Sequence, residues 1–229
     1  MSREAIIKGL EDDLVRYEND YQQSRVNLKI TRRKLMYLKT PDEFYVEQFF
    51  SKRHAGMRKW EMKLGKALAE RFKITSMVDF GCALGSYMEG ALEGGCEKVL
   101  GFDLMYDSIM KWAPENMKPF IKHGNAGTPI ECGKWDCVLS VEVAEHLIEE
   151  EADIFVDNLI KASSRLIIVT ASNAGGRYHL NRQLREYWVG KFVMKGCKYS
   201  HKGSALLYRL WSKLGCPGYI LRHIMVFTI

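Results

Sequence analysis

Short apolar runs that alternate with helix-like spacing dominate the chain after residue 57, and they predict an α/β fold. Strand-like apolar runs cover residues 76–80, 98–103, 120–123, 135–141 and 165–171. Between them, apolar positions recur every three or four residues, as in amphipathic helices. Strands and helices that alternate in this way form a mostly parallel sheet wound on both faces. The segment 219–229 is rich in β-branched and aromatic residues and is predicted as a final strand.

A long helix is predicted before this region. From Leu14 to Leu38, positions at alternating steps of three and four fall on one helical stripe, and Pro41 ends the helix. The stripe consists of Leu14, Tyr17, Tyr21, Ser24, Leu28, Thr31, Leu35 and Leu38. Such a helix packs on its own domain, pairs with a second copy in a homodimer, or contacts a substrate. We therefore divide the chain into a helical extension, residues 1–56, and an α/β domain, residues 57–229, which opens with a helix over 57–72.

The net charge of +6 is concentrated in this predicted helix. The segment 24–39 holds six basic residues and no acidic one, and the rest of the chain is balanced at 28 basic against 28 acidic residues. The six are Arg25, Lys29, Arg32, Arg33, Lys34 and Lys39. This basic arm either contacts a phosphate-rich partner such as RNA, or is a solvated helix face beside an acidic neighbour.

Cysteine usage and hydropathy bear on the compartment. The six cysteines form no C-x-x-C pair and lie mostly in apolar surroundings, which predicts reduced thiols. The sequence contains neither the apolar core of a signal peptide nor the ~20 apolar residues of a membrane span. We expect a soluble, cytoplasmic protein without a transmembrane segment.

The turn after the first predicted strand carries the clearest chemical signal. Gly81 and Gly85 lack a Cβ, so the turn can adopt positive φ angles and admit a ligand close to the backbone. The helix that begins at Ser86 offers unpaired N–H groups to such a ligand. Asp103 ends the next strand about 20 residues later, where a carboxylate can hold a pair of ribose hydroxyls. These features together predict a nucleotide-like ligand.

These residues resemble the class I S-adenosylmethionine-dependent methyltransferases. The family motif acidic-x-Gly-x-Gly-x-Gly reads Asp79-x-Gly81-x-Ala83-x-Gly85, and Ala83 narrows the methionine end of the pocket where the family has glycine. The resemblance implies a Rossmann-like, seven-stranded sheet and S-adenosylmethionine as cofactor. The implied cofactor-binding residues are Asp79, Gly81, Ala83, Gly85, Asp103, Asn125, Ala126 and Ser140.

Within that set, the resemblance implies separate roles. Asp79 braces the loop, Asp103 holds the ribose, and Asn125 with Ala126 contacts the adenine. Gly81, Ala83 and Gly85 line the methionine moiety.

The fourth predicted strand leads into Glu142-x-x-Glu145-His146, which carries candidate chemistry. Methyl transfer to an oxygen requires an aligned nucleophile and a base for its proton. His146, His179 and Glu142 are therefore the candidate catalytic residues, and no metal is assigned. Two alternatives stay open. The cluster supports the loop and the following helix, or Glu142, Glu145, His146 and His179 bind a divalent metal ion.

The C-terminal part distinguishes two groups of methyltransferases. Gly175-Gly176, His179-x-Asn181 and Tyr187-Trp188 resemble bacterial and phage O-methyltransferases of small molecules and glycans, which implies such an acceptor. RNA 2′-O-methyltransferases share the Glu-x-x-Glu-His and later His of the metal alternative, but the chain lacks their His-rich run. A third hypothesis is a non-catalytic binding protein that has this fold and uses the helical stripe as its interface.

Overall fold

A seven-stranded sheet lies at the centre of this computed structural model, which describes residues 2–19, 31–32, 34–35, 37–38, 50, 55–176 and 178–229. The strands are β1 (Ser76–Phe80), β2 (Lys98–Asp103), β3 (Ile121–His123), β4 (Trp135–Val141), β5 (Ser163–Thr170), β6 (Lys198–Tyr199) and β7 (Met225–Thr228). Their order across the sheet is β3-β2-β1-β4-β5-β7-β6. β7 runs antiparallel to β5 and β6, and the remaining pairs are parallel. The predicted mostly parallel, seven-stranded sheet is confirmed.

Helices cover both faces of this sheet. They are α1 (Arg3–Asn19), α2 (Ala55–Phe72), α3 (Ser86–Glu93), α4 (Tyr106–Met110), α5 (Ala152–Ala162), α6 (Arg185–Met194), α7 (His201–Lys213) and α8 (Gly218–Leu221). Helices α2, α3 and α7 share one apolar cluster with Met77, and α5 and α6 share the other with Val78. Successive strand residues face opposite sides of the sheet, and Met77 and Val78 are both buried, so β1 is covered on both faces. The doubly wound architecture is thereby confirmed.

Predicted strand limits agree with the structure for three strands and differ for the others. The bounds predicted for β1, β2 and β4 are those observed. β3 begins one residue late because Phe120 belongs to a 3₁₀ turn. β5 covers 163–170 instead of 165–171. β6 has only two residues, which is too short to produce a periodic pattern, and the sequence did not predict it.

The predicted strand 219–229 is wrong in its first part. The amides of Ile220 and Leu221 both donate to the carbonyl of Pro217, at 3.0 and 3.1 Å, which closes the helical turn of α8. Within this segment only Met225–Thr228 forms a strand of the sheet. The apolar composition of this segment predicted a strand. The hydrogen bonds to the Pro217 carbonyl instead give its first part a helical backbone.

The N-terminal region packs on the α/β core through its described residues. The described positions between 31 and 38 are helical, and Leu35 and Leu38 are buried in the same apolar cluster as α5 and α6. For these residues the structure agrees with the alternative in which the predicted helix packs on its own domain. The stripe positions Tyr21, Ser24 and Leu28 lie outside the described residues, as does Pro41. The homodimer stays a prediction.

The basic arm is described at only two of its positions. Lys34 Nζ lies 3.1 Å from Glu150 Oε1, so this residue has the acidic neighbour that the solvated-face alternative requires. Arg32 is exposed. The positions outside the described residues are Arg25, Lys29, Arg33 and Lys39. In the described part of the chain, the structure contains no helix with the length and apolar character of a membrane span.

Two glycines allow α2 and α3 to cross in close contact. A Cβ on Gly65 would lie 2.1 Å from the carbonyl oxygen of Tyr87, and one on Gly90 would lie 2.0 Å from that of Met62. Only hydrogen atoms fit at these positions. The tight crossing holds α2 against the start of α3, and this brings Glu61 of α2 to the edge of the sheet where the candidate site lies.

We predict that Gly65→Ala lowers the free energy of unfolding by about 1–3 kcal/mol, because its methyl group has to push the two helices apart. Gly56→Ala in the same helix is the control, since a Cβ there meets no atom within 4 Å. That substitution should leave stability unchanged or raise it by up to about 1 kcal/mol. Urea denaturation followed by circular dichroism measures both, and equal effects of the two variants would contradict the close crossing.

Candidate active site

A cavity of about 570 Å³ opens at the carboxyl ends of β1, β2 and β4. Its wall consists of the loops after these strands, residues of α2 and α8, and the N-terminal aromatic residues Tyr37 and Phe50. The strand order reverses between β1 and β4, since the chain proceeds from β1 to β2 and β3 on one side and then returns to β4 on the other. Open α/β sheets bind ligands at such a reversal.

The loop between β1 and α3 is fixed by backbone geometry. Gly81, Ala83 and Gly85 all have positive φ, at 84°, 46° and 78°. The Gly81 amide donates to the Phe102 carbonyl at 2.7 Å, and a Cβ on Gly81 would lie only 2.2 Å from Cγ2 of Val143. Glycine is therefore required at position 81 by both conformation and space. Ala83 adopts the left-handed region at a cost, and it lines the cavity.

Asp103 joins this loop to the one that follows β2. Its Oδ2 accepts the Ala83 amide at 2.9 Å, and its Oδ1 accepts the Met105 amide at 2.9 Å. The carboxylate lines the cavity, and burial raises its pKa while the two backbone hydrogen bonds oppose that rise. Each oxygen keeps a second lone pair for a ligand.

An unpaired amide donor lies at another part of the cavity. Asn125 Oδ1 accepts the Gly127 amide at 2.8 Å, and the hydroxyl of Tyr37 lies 3.3 Å from the same oxygen. The Tyr37 hydroxyl also lies 3.0 Å from Oε2 of Glu151, to which it donates. These contacts set the orientation of the amide, so Nδ2 of Asn125 is the group without a partner, and it is buried. A buried donor of this kind matches a ligand atom that accepts a hydrogen bond.

The cavity is lined by acidic side chains. Five carboxylates contribute to its wall, whereas no Lys or Arg is found among the described lining residues. They are Glu61, Asp79, Asp103, Glu142 and Glu145. Burial raises the pKa of Glu61 to about 7. The pKa of Asp79 is raised well above its usual range by burial and then by the charges of Asp103 and Glu61. Such a wall favours cationic ligands.

Two histidines meet on the other side of the cavity. The rings of His146 and His179 are perpendicular, with centroids 4.9 Å apart. Nδ1 of His146 lies 3.0 Å from the Tyr178 carbonyl oxygen, and Nδ1 of His179 lies 2.8 Å from the Ala174 carbonyl oxygen. A carbonyl oxygen only accepts hydrogen bonds, so each Nδ1 carries a proton, and in the neutral form of each ring Nε2 carries the lone pair.

Glu145 lies beside these rings. It is fully buried, and neither carboxylate oxygen has a hydrogen-bond partner of good geometry. Burial and the nearby Glu142 raise the pKa of Glu145 well above its usual range, and adjacent backbone amides only partly offset this. One ligand atom each from Glu145, His146 and His179 can be chosen so that all lie within 4.8 Å of one another. Carboxylate and imidazole ligands at this spacing suit a divalent metal ion.

Glu142 is not a member of that group of three, although its carboxyl group lies next to that of Glu145. Its backbone has φ of 56°, and its amide donates to Thr170 Oγ1 at 2.9 Å. The Thr170 hydroxyl in turn donates to Oε1 of Glu142 at 2.8 Å. The side chain is thus held toward β5, and the four-ligand alternative is reduced to three ligands. Glu142 still lines the cavity, and its strained backbone is a feature that functional sites often contain.

Two of the predicted cofactor residues do not line the cavity. The Ser140 hydroxyl is fully buried and donates to the Phe80 carbonyl at 2.8 Å, so it links β4 to β1. Gly85 shapes the turn before α3. The other predicted residues all reach the cavity wall, namely Asp79, Gly81, Ala83, Asp103, Asn125, Ala126, Glu142, His146 and His179.

Sequence reasoning missed Glu61, Tyr37 and Phe50, which also line the cavity. Glu61 lies in the helix predicted over 57–72, but helical spacing does not reveal which end of α2 approaches the loops. Tyr37 lies beside the predicted stripe and Phe50 beyond it. The position of Glu61 on the apolar face of the predicted helix, in line with Leu64 and Leu68, was a sequence signal that could have pointed to a functional acidic residue.

The ionisation of Glu61 makes stability depend on pH. Its folded pKa of about 7 lies above its usual value of 4.5, so the folded chain binds its proton more tightly than the unfolded chain. This contribution to stability is fully present below about pH 4.5 and is lost as pH rises to about 7.

We therefore compare the unfolding free energy of Glu61→Gln with that of wild type, both without ligand. We predict that this difference shifts in favour of the variant by roughly 2 kcal/mol between pH 5 and pH 8. Glu70→Gln is the control, because Glu70 is an exposed residue of the same helix. Urea unfolding at both pH values tests this, and parallel behaviour of the two variants would show that Glu61 is not buried as an acid.

Comparison with known proteins identifies the fold. A scan against protein-family models gives no match, and neither does a search of curated proteins. Among solved structures, a candidate O-methyltransferase from Nostoc punctiforme is 12% identical with a TM-score of 0.58, over 80% of this chain and 59% of its own. The chain thus spans less than two thirds of the length of that protein.

Two further structures are matched over nearly all of their own length. A TehB-like SAM-dependent methyltransferase from Corynebacterium glutamicum is 17% identical, with a TM-score of 0.54, over 80% of this chain and 97% of its own. An amino pentose methyltransferase from Micromonospora echinaspora, solved with SAM bound, is 14% identical, with a TM-score of 0.51, over 76% of this chain and 94% of its own. The chain has the fold of the S-adenosylmethionine-dependent methyltransferases.

Proposed function

We propose that the chain is an S-adenosylmethionine-dependent methyltransferase that acts on an oxygen of a small molecule or glycan. The observation that carries this proposal is the charge of the cavity, in which five carboxylates and no described Lys or Arg line the wall. S-adenosylmethionine carries a sulfonium and an ammonium group, which such a wall stabilises. The pyrophosphate of a dinucleotide would instead find no cationic side chain among the described residues of this wall.

The adenosine half of the cofactor fits the residues near the β2 and β3 loops. The remaining lone pairs of the Asp103 carboxylate can accept the two ribose hydroxyls. The unpaired Nδ2 of Asn125 can donate to a ring nitrogen of adenine, and the small Ala126 leaves room for the base. The contact with adenine would satisfy a polar group that is buried without a partner in the ligand-free chain.

The methionine half fits the acidic end of the cavity. Gly81 and Ala83 line the wall through the backbone of the loop, and the carboxylates of Glu61 and Asp79 lie nearby. A cationic group beside these carboxylates favours their ionised forms and lowers their raised pKa values. The charge of the ligand thus compensates the charge of the site.

The two histidines are suited to handle the acceptor proton. When bound, the cofactor supplies a methyl group on a sulfonium, and its displacement leaves a neutral thioether. Nε2 of His146 or His179 can accept the proton of an acceptor hydroxyl, since Nδ1 of each ring donates to a carbonyl. Glu145 lies close enough to stabilise the imidazolium that results.

Calorimetry with S-adenosylmethionine tests the proposal. We predict measurable binding to the wild-type chain and a loss of at least about tenfold in affinity for Asp103→Ala, because hydrogen bonds to a charged group are removed. Asp107→Ala is the control, since Asp107 is an exposed residue four positions later that does not line the cavity. It should bind like wild type.

The absence of any binding to the wild-type chain would overturn the proposal. That outcome would favour the alternative of a non-catalytic binding protein with a methyltransferase fold.

A second candidate function is 2′-O-methylation of RNA with a metal ion. The observation that favours it is the group formed by Glu145, His146 and His179, whose donor types suit a divalent cation. The Nδ1 contacts of both histidines with carbonyls are the usual outer contacts of metal-binding imidazoles. A metal ion held by these three residues would lower the pKa of a bound hydroxyl.

Calorimetric titration with Mn²⁺ tests the metal candidate. A Cβ at Gly176 would lie 2.5 Å from Nε2 of His179, whereas the nearest atom to a Cβ at Gly175 is Nη1 of Arg182 at 3.5 Å. We therefore predict that Gly176→Ala weakens Mn²⁺ binding about tenfold or more by displacing the ring. Gly175→Ala should change it less than about threefold. If the wild-type chain binds no Mn²⁺, the metal candidate is wrong and proton transfer by the histidines is favoured.

A further inference from the structure

The C-terminal part of the chain is strongly basic. Between Glu186 and the last residue, Ile229, there is no acidic residue and there are seven Lys or Arg residues. They are Lys191, Lys195, Lys198, Lys202, Arg209, Lys213 and Arg222. Two of them are neutralised by α5, since Lys191 lies 2.8 Å from Asp153 and Lys195 lies 2.7 Å from Asp157. The rest of this positive charge surrounds α7 and the turn after α8.

Part of this charge lines a second pocket, which we call the basic pocket. It has a volume of about 330 Å³, and none of the described residues that line it is acidic. Its polar and aromatic wall comprises Arg185, Tyr199, His201, Ser204, Tyr208 and Arg209. Tyr208 is 46% exposed, which is unusual for so large a side chain. Guanidinium groups beside tyrosine rings suit a phosphate attached to a sugar or base.

One short segment separates the basic pocket from the cavity. Tyr219 and Ile220 of α8 line the cavity, whereas Leu221 and Ile224 line the basic pocket. The same segment is anchored on both sides. On one side, the Arg185 guanidinium donates to the carbonyl of Arg222. On the other side, His223, which follows Arg222, contacts a residue of the candidate active site.

His223 has two polar neighbours. Its Nε2 lies 3.3 Å from Oδ1 of Asn173, and its Nδ1 lies 4.0 Å from Oε1 of Glu142. The segment 219–224 therefore lines both the cavity and the basic pocket, and its His223 lies beside the candidate catalytic residue Glu142.

We propose that the basic pocket binds a phosphate group of the methyl acceptor while the acceptor hydroxyl lies in the cavity. This inference rests on the proposed function, because it assigns a class of acceptor to the same reaction. The cavity wall has five carboxyl groups and no described Lys or Arg, so it offers no cationic partner for a phosphate, and an anionic part of the acceptor has to bind elsewhere. An acidic wall on one side of α8 and basic side chains on the other would orient the acceptor with its hydroxyl toward His146 and His179.

Binding of inorganic phosphate, ribose 5-phosphate, ribose and a short oligoribonucleotide to the full chain tests this inference. The readout is the ring signal of His201 in NMR titrations, with dissociation constants taken from the same data. We expect the phosphate-bearing probes to shift this signal and uncharged ribose to leave it unchanged. Arg209→Gln should weaken binding of ribose 5-phosphate about tenfold or more.

Lys213→Gln is the matched control, because it removes one positive charge from the same helix one turn away and does not line the pocket. It should weaken binding less than about twofold. Tighter binding of the oligoribonucleotide than of ribose 5-phosphate supports the inference with RNA as the acceptor, and equal binding supports it with a small phosphorylated acceptor. The inference is overturned if phosphate leaves His201 unshifted, or if the two variants weaken binding equally.

Titration of the same samples with S-adenosylmethionine separates this inference from the proposed function. Arg209→Gln should bind the cofactor like wild type, which also shows that the variant is folded. A chain that binds the cofactor but no phosphate refutes only the acceptor class. A chain that binds neither refutes both.

Discussion

Buried carboxyl groups without a basic partner are the constraint on which the site depends. Glu61, Asp79 and Glu145 are buried at the edge of the sheet without a basic partner among the described residues that line the cavity. Burying carboxylates in this way raises their pKa values and costs stability in the ligand-free chain. A fold that retains such a cost at its ligand-binding edge is explained most simply by a ligand that supplies the opposite charge.

Backbone contacts determine where these carboxyl groups lie. Asp103 accepts amides from the loops after β1 and β2, so a single carboxylate sets the distance between them. Gly81 allows the first loop to pass under Val143, and the crossing of Gly65 with α3 brings Glu61 to the same edge. The proposed cradle for adenosine and the proposed acidic end for methionine are therefore built by parts of the chain that are far apart in sequence.

The sequence predicted those parts of the fold that are governed by local pattern. β1 and β4 are buried on both faces, so their apolar runs have clear limits. Asp103 is the last residue of β2, as predicted. The two-residue β6 and the helical turn after Pro217 carry no periodic signal and were missed.

Much of the cavity wall after each strand could also be predicted, but contributions from distant elements could not. Glu61 and Tyr37 reach the cavity through helix packing, which one sequence does not specify. Ser140 lies at the predicted strand end, yet its hydroxyl bonds to the Phe80 carbonyl because the strand is fully covered at that point. The positions of polar residues along the strands predicted that the candidate site lies at the carboxyl ends of the strands. Tertiary packing determined which of these side chains face the cavity.

The most direct test of this account is a crystal structure of the chain with S-adenosylmethionine. In that crystal structure we expect the ribose hydroxyls on Asp103, adenine beside Asn125, and the sulfonium between the carboxylates and the pair His146 and His179. A cofactor bound outside this cavity, or a cavity that stays empty at saturating cofactor, would contradict it.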